Sequence, residues 1–341
     1  MRPTVHDVAE AAGVSLATVD RVLNRRAGVR STTAAKVEAA ISRLGYVRDI
    51  SAANLAKQRI YRLVFIIPDG SNSFMRRLEN ELEQVKLRSA LNRTDITVLK
   101  VPAFDGAALA RALESIDSKT ISGVAVVATE SPMVREALAR LHRENVHVVT
   151  LVSDAPAFKR GDYVGVDNVA AGRTAATLMG RFVGRRPGKI ALVAGSMLVR
   201  DHVERRMGFE QVITAEFPNL TCLPVVEGRD DAATAREAVA ACLSREPEIV
   251  GLYNMGAGNR GLIDALSADR AYAELTVIAH ELSDHSRRAL RDGLFDAVIN
   301  QDAGHEVRSA VRILQARIDG TAVIDGQESI RIEIYLRDNL P

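Results

Sequence analysis

"TVHDVAEAAGVSLATVDRVLN" (residues 4–24) packs two short amphipathic helices and a turn into twenty-one residues. Val5, Val8, Ala9 and Ala12 fall at i, i+3, i+4 and i+7, the apolar stripe of one helix. Gly13 follows, the residue best suited to the left-handed position that closes a helix. Ser15 then caps a second helix whose inner face is Val19, Val22 and Leu23. Two helices joined by a tight glycine-containing turn form a helix-turn-helix unit, whose second helix is shaped for the major groove of DNA. Leu16, Ala17, Asp20 and Arg21 face outward on that helix. A third helix, with Ser31 as its expected cap, carries Ala34, Val37, Ala40, Ile41 and Leu44 and stops at Gly45. These stripes predict a small all-α head.

Charge sets this head apart from the rest. The 341-residue chain has a net charge of only +2, yet residues 1–60 sum to +5 and the remainder to −3. A basic head on a mildly acidic body points to a polyanion partner for the head alone. With 47% hydrophobic and 26% charged residues, the composition is neither disordered nor membrane-bound. No apolar run reaches spanning length, and "MRPTVHDVAEAAGVS" does not read as a secretory signal. Cys222 and Cys242 imply no disulfide framework and suit a reducing cytoplasm.

The string "VHDVAEAAGVSLATVDRVLNRRAGVRSTTAAKVEAAISRLGY" closely resembles the headpiece of LacI/GalR-type transcriptional repressors. The resemblance implies that Leu16 and Ala17 read bases in the major groove and that Arg21 reaches a base edge. Thr4, His6, Ser15, Thr18, Asn24 and Tyr46 then fall at backbone-contacting positions, as hydroxyls, amides and cations suit phosphates. Leu16 and Ala17 offer only apolar contact, so Arg21 carries most of the hydrogen-bonded readout. Asp20 departs from the family's usual small hydroxyl. It either accepts from cytosine N4 or repels phosphate.

After Tyr46, "VRDISAANLAKQRIYR" is polar and Ala-rich. Relatives use this stretch as a hinge helix that orders on the operator, and Leu55 matches their minor-groove wedge. Arg48-Asp49 stands where a Pro-Asn pair is common.

From residue 61 onward, apolar runs alternate with amphipathic helical stretches. The strand-like runs lie at 62–68, 96–101, 123–128, 146–152, 163–167, 189–195, 223–226, 249–254, 275–281 and 296–301. Unbroken Val/Ile runs between helices predict parallel sheets covered on both faces. Ten units exceed one sheet, so two lobes are expected, and "SIRIEIYLRD" (329–338) alternates as a terminal edge strand. "YVGVDNVAAGRTAATLMGRF" and "RRMGFEQVI" resemble the core of the ribose-type periplasmic-binding-protein fold that these repressors use. In open α/β sheets ligands bind beyond the carboxyl ends of strands. The resemblance places Asn72, Phe74, Asn254, Glu281 and Gln301 against a ligand there, with Arg200 (in competition with Arg205) and Asp154 as further candidates. Amides, carboxylates, an arginine and one aromatic make a set suited to a sugar.

"GLYNMGAGNRGLIDAL" (251–266) also carries G-x-G-x-x-G at Gly256, Gly258 and Gly261, with Glu281 about twenty residues beyond. A lone match at the eighth strand is weak support for a dinucleotide enzyme. "HELSDH" sets His280 and His285 five apart, off the shared helix face of a zinc site. Nothing implies a cofactor, a metal or an enzyme, and a transport solute-binding protein predicts a signal peptide and no head.

The expected architecture is therefore a helix-turn-helix DNA-binding domain (1–46), a hinge or linker (47–60) and an α/β two-lobed, periplasmic-binding-protein-like sensor (61–341). Lobe one is expected at about 61–160 and 285–320, and lobe two at about 161–284 and 321–341. The function so implied is a cytoplasmic, homodimeric regulator of transcription, a repressor by family. It binds double-stranded operator DNA and answers to a small carbohydrate or polyol, with no membrane partner.

Overall fold

The computed structural model describes residues 3–23, 26–46, 60–89 and 93–341. The chain divides into two compact units, Met1–Arg59 and Ile60–Pro341. Expected contacts at Asn24 and Leu55 lie outside the described residues.

In the first unit, α1 (Val5–Ala12) opens with a reciprocal cap. The Asp7 amide donates to Thr4 Oγ1, and the Thr4 amide donates to the Asp7 carboxylate at 2.6 Å. Gly13 closes it with φ 66°, in the left-handed region. Ser15 Oγ accepts from the Thr18 amide ahead of α2 (Leu16–Leu23), as the spacing predicts. The third helix, α3 (Ser31–Leu44), differs in one detail. Its cap position is Arg30, with no side-chain cap bond, and Ser31 is already helical. Val8, Ala9, Val19, Val37 and Ala40 form the buried core of this unit.

The second unit holds two sheets. The first runs β2-β1-β3-β4-β5, all parallel, from β1 (Tyr61–Asp69), β2 (Thr94–Pro102), β3 (Gly123–Val126), β4 (His147–Leu151) and β5 (Asp162–Val164). The second runs β12-β11-β10-β9-β6-β7. Its strands are β6 (Gly188–Ala194), β7 (Leu220–Cys222), β9 (Ile249–Asn254), β10 (Thr276–His280), β11 (Ala297–Asn300) and β12 (Glu333–Tyr335), with β8 (Val226–Glu227) paired to β6. β12 is the antiparallel edge strand that the alternation predicts. Separate apolar clusters cover the two faces of each sheet, which is why the strands read as continuous apolar runs.

Two expectations change. "LPVV" is not one strand: β7 and β8 stand on either side of Pro224, which has no amide to give a ladder. The return to the first lobe is also shorter than 285–320. The helix Asp284–Arg291 buries Ala289 and Leu290 in the second lobe, and β11 pairs with β10. The long helix Ala303–Asp319 crosses back, setting Val307, Ala310, Ile313 and Leu314 into the first lobe's core, where Ile330 joins them before β12 returns to the second sheet.

The helices Asn168–Val183 and Arg200–Glu216 cross so closely that only glycine fits between them. A methyl group on Gly172 would stand 1.9 Å from the Arg205 carbonyl oxygen, and one on Gly208 2.1 Å from that of Val169. This contact fixes the position of the helix that carries Arg205. Gly172→Ala or Gly208→Ala forces backbone apart, and overpacking typically costs about 1–3 kcal/mol. Thermal unfolding will show a lowered midpoint for each, and an unchanged midpoint would contradict the close crossing.

Candidate DNA interface and ligand site

On the head, Thr4, His6, Ser15, Leu16, Ala17 and Arg21 are exposed, while Thr18 and Tyr46 are half-buried. Leu16 is 40% exposed, an apolar side chain left outside a core that its own helix helps to build. Tyr46 packs partly against that core. Asp20 forms an exposed ion pair with Arg26 at 3.4 Å, which offsets its repulsion of phosphate.

The body's site lies where strand ends of the two lobes meet. A cavity of about 170 Å³ is lined from the first lobe by Asn72, Met75, Phe104 and Ser153, and from the second by Asp201, His202 and Asp230. Pockets for drug-sized ligands run to about 300–1,000 Å³, so this space suits one small molecule. Hydrogen bonds bridge the lobes around it. Asn72 Nδ2 donates to Asp230 Oδ2 at 2.7 Å, Ser71 Oγ to the Asp230 carbonyl, and the Arg200 amide to Ser153 Oγ. Arg77 donates to the Leu282 carbonyl at 2.8 Å.

The expected contact residues separate. Asn72 lines the cavity. Glu281 and Gln301 come together, with Gln301 Nε2 donating to Glu281 Oε1 at 2.9 Å. Phe74 instead points into the first lobe's core, and Phe104, after β2, is the aromatic at the cavity. The Arg200 guanidinium is held by Glu204 at 2.7 Å, one helical turn along. Asp154 accepts from Thr150 Oγ1 and the Ala155 amide within its own loop. Asn254 is 1% exposed and spends its amide on Asn259 and the Gly256 amide.

The buried arginine is Arg205, 2% exposed. Its Nε donates to Asn168 Oδ1 and one terminal nitrogen donates to the Met255 carbonyl, each at 2.8 Å, while the other terminal nitrogen has no partner. Glu281 Oε2, Gln301 Oε1, Asp201 Oδ1 and both oxygens of Glu306 are likewise buried and unpartnered. Buried polar groups are nearly always satisfied, so these atoms hold hydrogen-bonding capacity that a water or a ligand can take up. Glu306 escaped the sequence reading. Its signal was an acid on the apolar face of the Ala303–Asp319 helix, three residues from Ala303 and four from Ala310. Asp230 and Phe104 were also missed. Both hold positive φ just beyond strand ends, at 55° and 60°.

The electrostatics follow from burial. Desolvation pushes the Glu281 carboxyl up to about 7, with the Arg205 charge and the Gln301 hydrogen bond pulling the other way. Glu306 is held well above the usual carboxylate range by burial and by the charge of Glu281. His280, buried with Arg205 nearby and Tyr253 Oη at 2.8 Å, is pushed well below its ordinary value.

The three glycines of 256–261 are accounted for without a nucleotide. A methyl on Gly256 would stand 2.7 Å from the Gly195 amide nitrogen, and one on Gly261 1.9 Å from the Ala232 carbonyl oxygen. Gly258 takes φ 91° at the entry to the helix Asn259–Leu266. Chain from the same lobe fills the approach that a pyrophosphate requires.

A groove-shaped head joined to a two-lobed body with a polar ligand site defines a ligand-responsive DNA-binding regulator. Comparison with known proteins agrees: residues 4–49 match the bacterial regulatory proteins of the lacI family, and residues 63–322 match the periplasmic binding protein domain. The chain belongs to the periplasmic binding protein domain family through its body, carries a lacI-family DNA-binding domain at its head, and is a DNA-binding regulator of transcription. The HTH-type transcriptional regulator DegA of Bacillus subtilis (strain 168) is 25% identical over 268 residues, 74% of each chain. Catabolite control protein A of Priestia megaterium is 41% identical over 85 residues, 25% of this chain and 26% of that protein. Among solved structures, GanP, a glucose-galactose binding protein from Geobacillus stearothermophilus, superposes with a TM-score of 0.74 at 18% identity, over 83% of this chain and 99% of its own. A solute binding protein from Burkholderia graminis in complex with D-arabinose gives 0.73 at 22% identity, over 82% and 96%. At such identities these likenesses speak for the fold. Among the described residues no helix is long and apolar enough to cross a membrane.

The raised Glu281 carboxyl gives a pH dependence of known sign. Between the unfolded value of 4.5 and the folded value of about 7 the native state holds more protons than the unfolded chain, so stability falls as pH rises through that window. Thermal unfolding of the ligand-free chain across this window will show Glu281→Gln losing less stability than the parent. Parallel profiles for the two proteins would contradict the assignment.

Proposed function

We propose that the protein is a cytoplasmic, homodimeric repressor whose operator affinity is set by a small sugar or polyol bound between the lobes of its body, and that it has no catalytic activity. One observation carries this reading: Asp201, Arg205, Glu281, Gln301 and Glu306 bury polar atoms that lack partners, and Asp201 among them lines the cavity between the lobes. Hydroxyl groups both donate and accept, so a polyhydroxylated molecule satisfies carboxylate, amide and guanidinium at once. Its contacts with residues of both lobes bind one lobe arrangement better than another. Ligand binding and operator affinity are then coupled, reciprocally. The sugar-binding proteins that share the fold support the ligand class.

On the head, Arg21 reads a base edge, Leu16 and Ala17 meet apolar groups such as a thymine methyl, and Thr4, His6, Ser15, Thr18, Asn24 and Tyr46 hold the backbone. Leu55 wedges the minor groove. Two heads on a two-fold dimer require a pseudo-palindromic operator.

Fluorescence anisotropy on DNA from the upstream region of its own gene tests both halves. Arg21→Ala costs about 1–3 kcal/mol of operator affinity while binding to unrelated DNA is retained. A sugar or polyol added to the complex changes operator affinity, and Gln301→Ala removes that response while ligand-free DNA binding persists. A response undiminished in Gln301→Ala would contradict the site, and equal loss on specific and unrelated DNA would contradict the role of Arg21.

A further inference from the structure

We infer that the effector held between the lobes carries a positive charge, an ammonium on a polyhydroxylated framework, and that Glu306 and Glu281 select it; the inference rests on the proposed sugar- or polyol-binding role of this site. Asp201, Glu281 and Glu306 are 8%, 7% and 0% exposed, and the one arginine buried with them is Arg205. Arg205 spends its bonded nitrogens on neutral acceptors, the Asn168 amide and the Met255 carbonyl. Among the described residues no Lys or Arg forms an ion pair with any of the three carboxylates, and Asp201 has only His202, at 3.7 Å.

The hydrogen-bonding inventory is equally one-sided. Five unpartnered acceptor oxygens stand there: Asp201 Oδ1, Glu281 Oε2, Gln301 Oε1 and both of Glu306. The one unpartnered donor among these residues is a terminal nitrogen of Arg205. A neutral hydroxyl brings one donor and no charge, whereas an ammonium brings three donors and offsets a buried carboxylate. Asp201 lines the cavity between the lobes, Gln301 Nε2 donates to Glu281 Oε1 at 2.9 Å, and the charges of Glu281, Arg205, Asp302 and Asp201 all bear on Glu306. No group of three His, Cys, Asp or Glu side chains among the described residues is placed to hold a metal ion, so the compensating charge belongs to the organic ligand. The carboxylates also stand on opposite lobes. Glu306 rides on the helix that packs into the first lobe, while Asp201 and Glu281 belong to the second. A cation bound there favours the ionised forms of Glu281 and Glu306, whose titration burial has raised, and its contacts with both lobes favour the closed arrangement.

Calorimetric titration of the full chain near neutral pH tests this with D-glucosamine, D-galactosamine and D-mannosamine, each against its neutral hexose and its N-acetyl derivative. At least one amine binds about tenfold or more tightly than both counterparts, as charge-assisted hydrogen bonds exceed neutral ones. Glu306→Gln and Glu281→Gln, which keep the volume, each bring that ratio towards one while the neutral hexose holds or gains affinity. The inference is overturned if a neutral hexose binds as tightly as its amine, if the preference survives both substitutions, or if no amine binds. In each case a neutral sugar or polyol that still changes operator affinity leaves the proposed function standing, and a chain whose operator affinity answers to none fails that reading separately.

Discussion

The arrangement of the body depends on one buried guanidinium with nowhere to go. Arg205 is 2% exposed and lies on a helix locked by the glycine crossing at Gly172 and Gly208. Its position is therefore not adjustable. Asn168 and the Met255 carbonyl orient it, and the acids whose titration it influences, Glu281 and Glu306, come from β10's end and from the helix that crosses back to the first lobe. A guanidinium and carboxylates buried without full pairing destabilise a protein that exists only to fold. They make sense in one that exists to be completed by a ligand.

The head answers a different constraint. Among the described residues its buried core is Val8, Ala9, Val19, Val37 and Ala40, yet it leaves Leu16, Ala17 and Arg21 on the outside. A unit this small keeps an apolar side chain in water only at some cost, and a groove-facing position gives that exposure a purpose.

Much of this was legible beforehand, for physical reasons. Strands covered on both faces read as unbroken apolar runs, so "IVGLYN" marks β9 to the residue. The head's stripe, Gly13 and Ser15 each announce themselves through local rules of helix ends. What escaped depended on tertiary contacts. Phe74 sits with Leu78 and Leu82 on one helical face and is core by periodicity, although resemblance assigned it to the ligand. Arg200 looked available until its neighbour Glu204, one turn on, took the guanidinium. β11 is an apolar run that either sheet could accept, so the point of return to the first lobe was misplaced. Glu306 was the readable miss: an acid on an apolar helix face signals either an error in the stripe or a site.

The most direct measurement is a crystal structure of the full chain soaked or grown with the molecule that alters its grip on DNA. The account predicts that molecule between the lobes, with polar atoms against the free nitrogen of Arg205, Glu281 Oε2, Gln301 Oε1 and Glu306. Finding it bound elsewhere, with those atoms left as they are or satisfied by water alone, would contradict it.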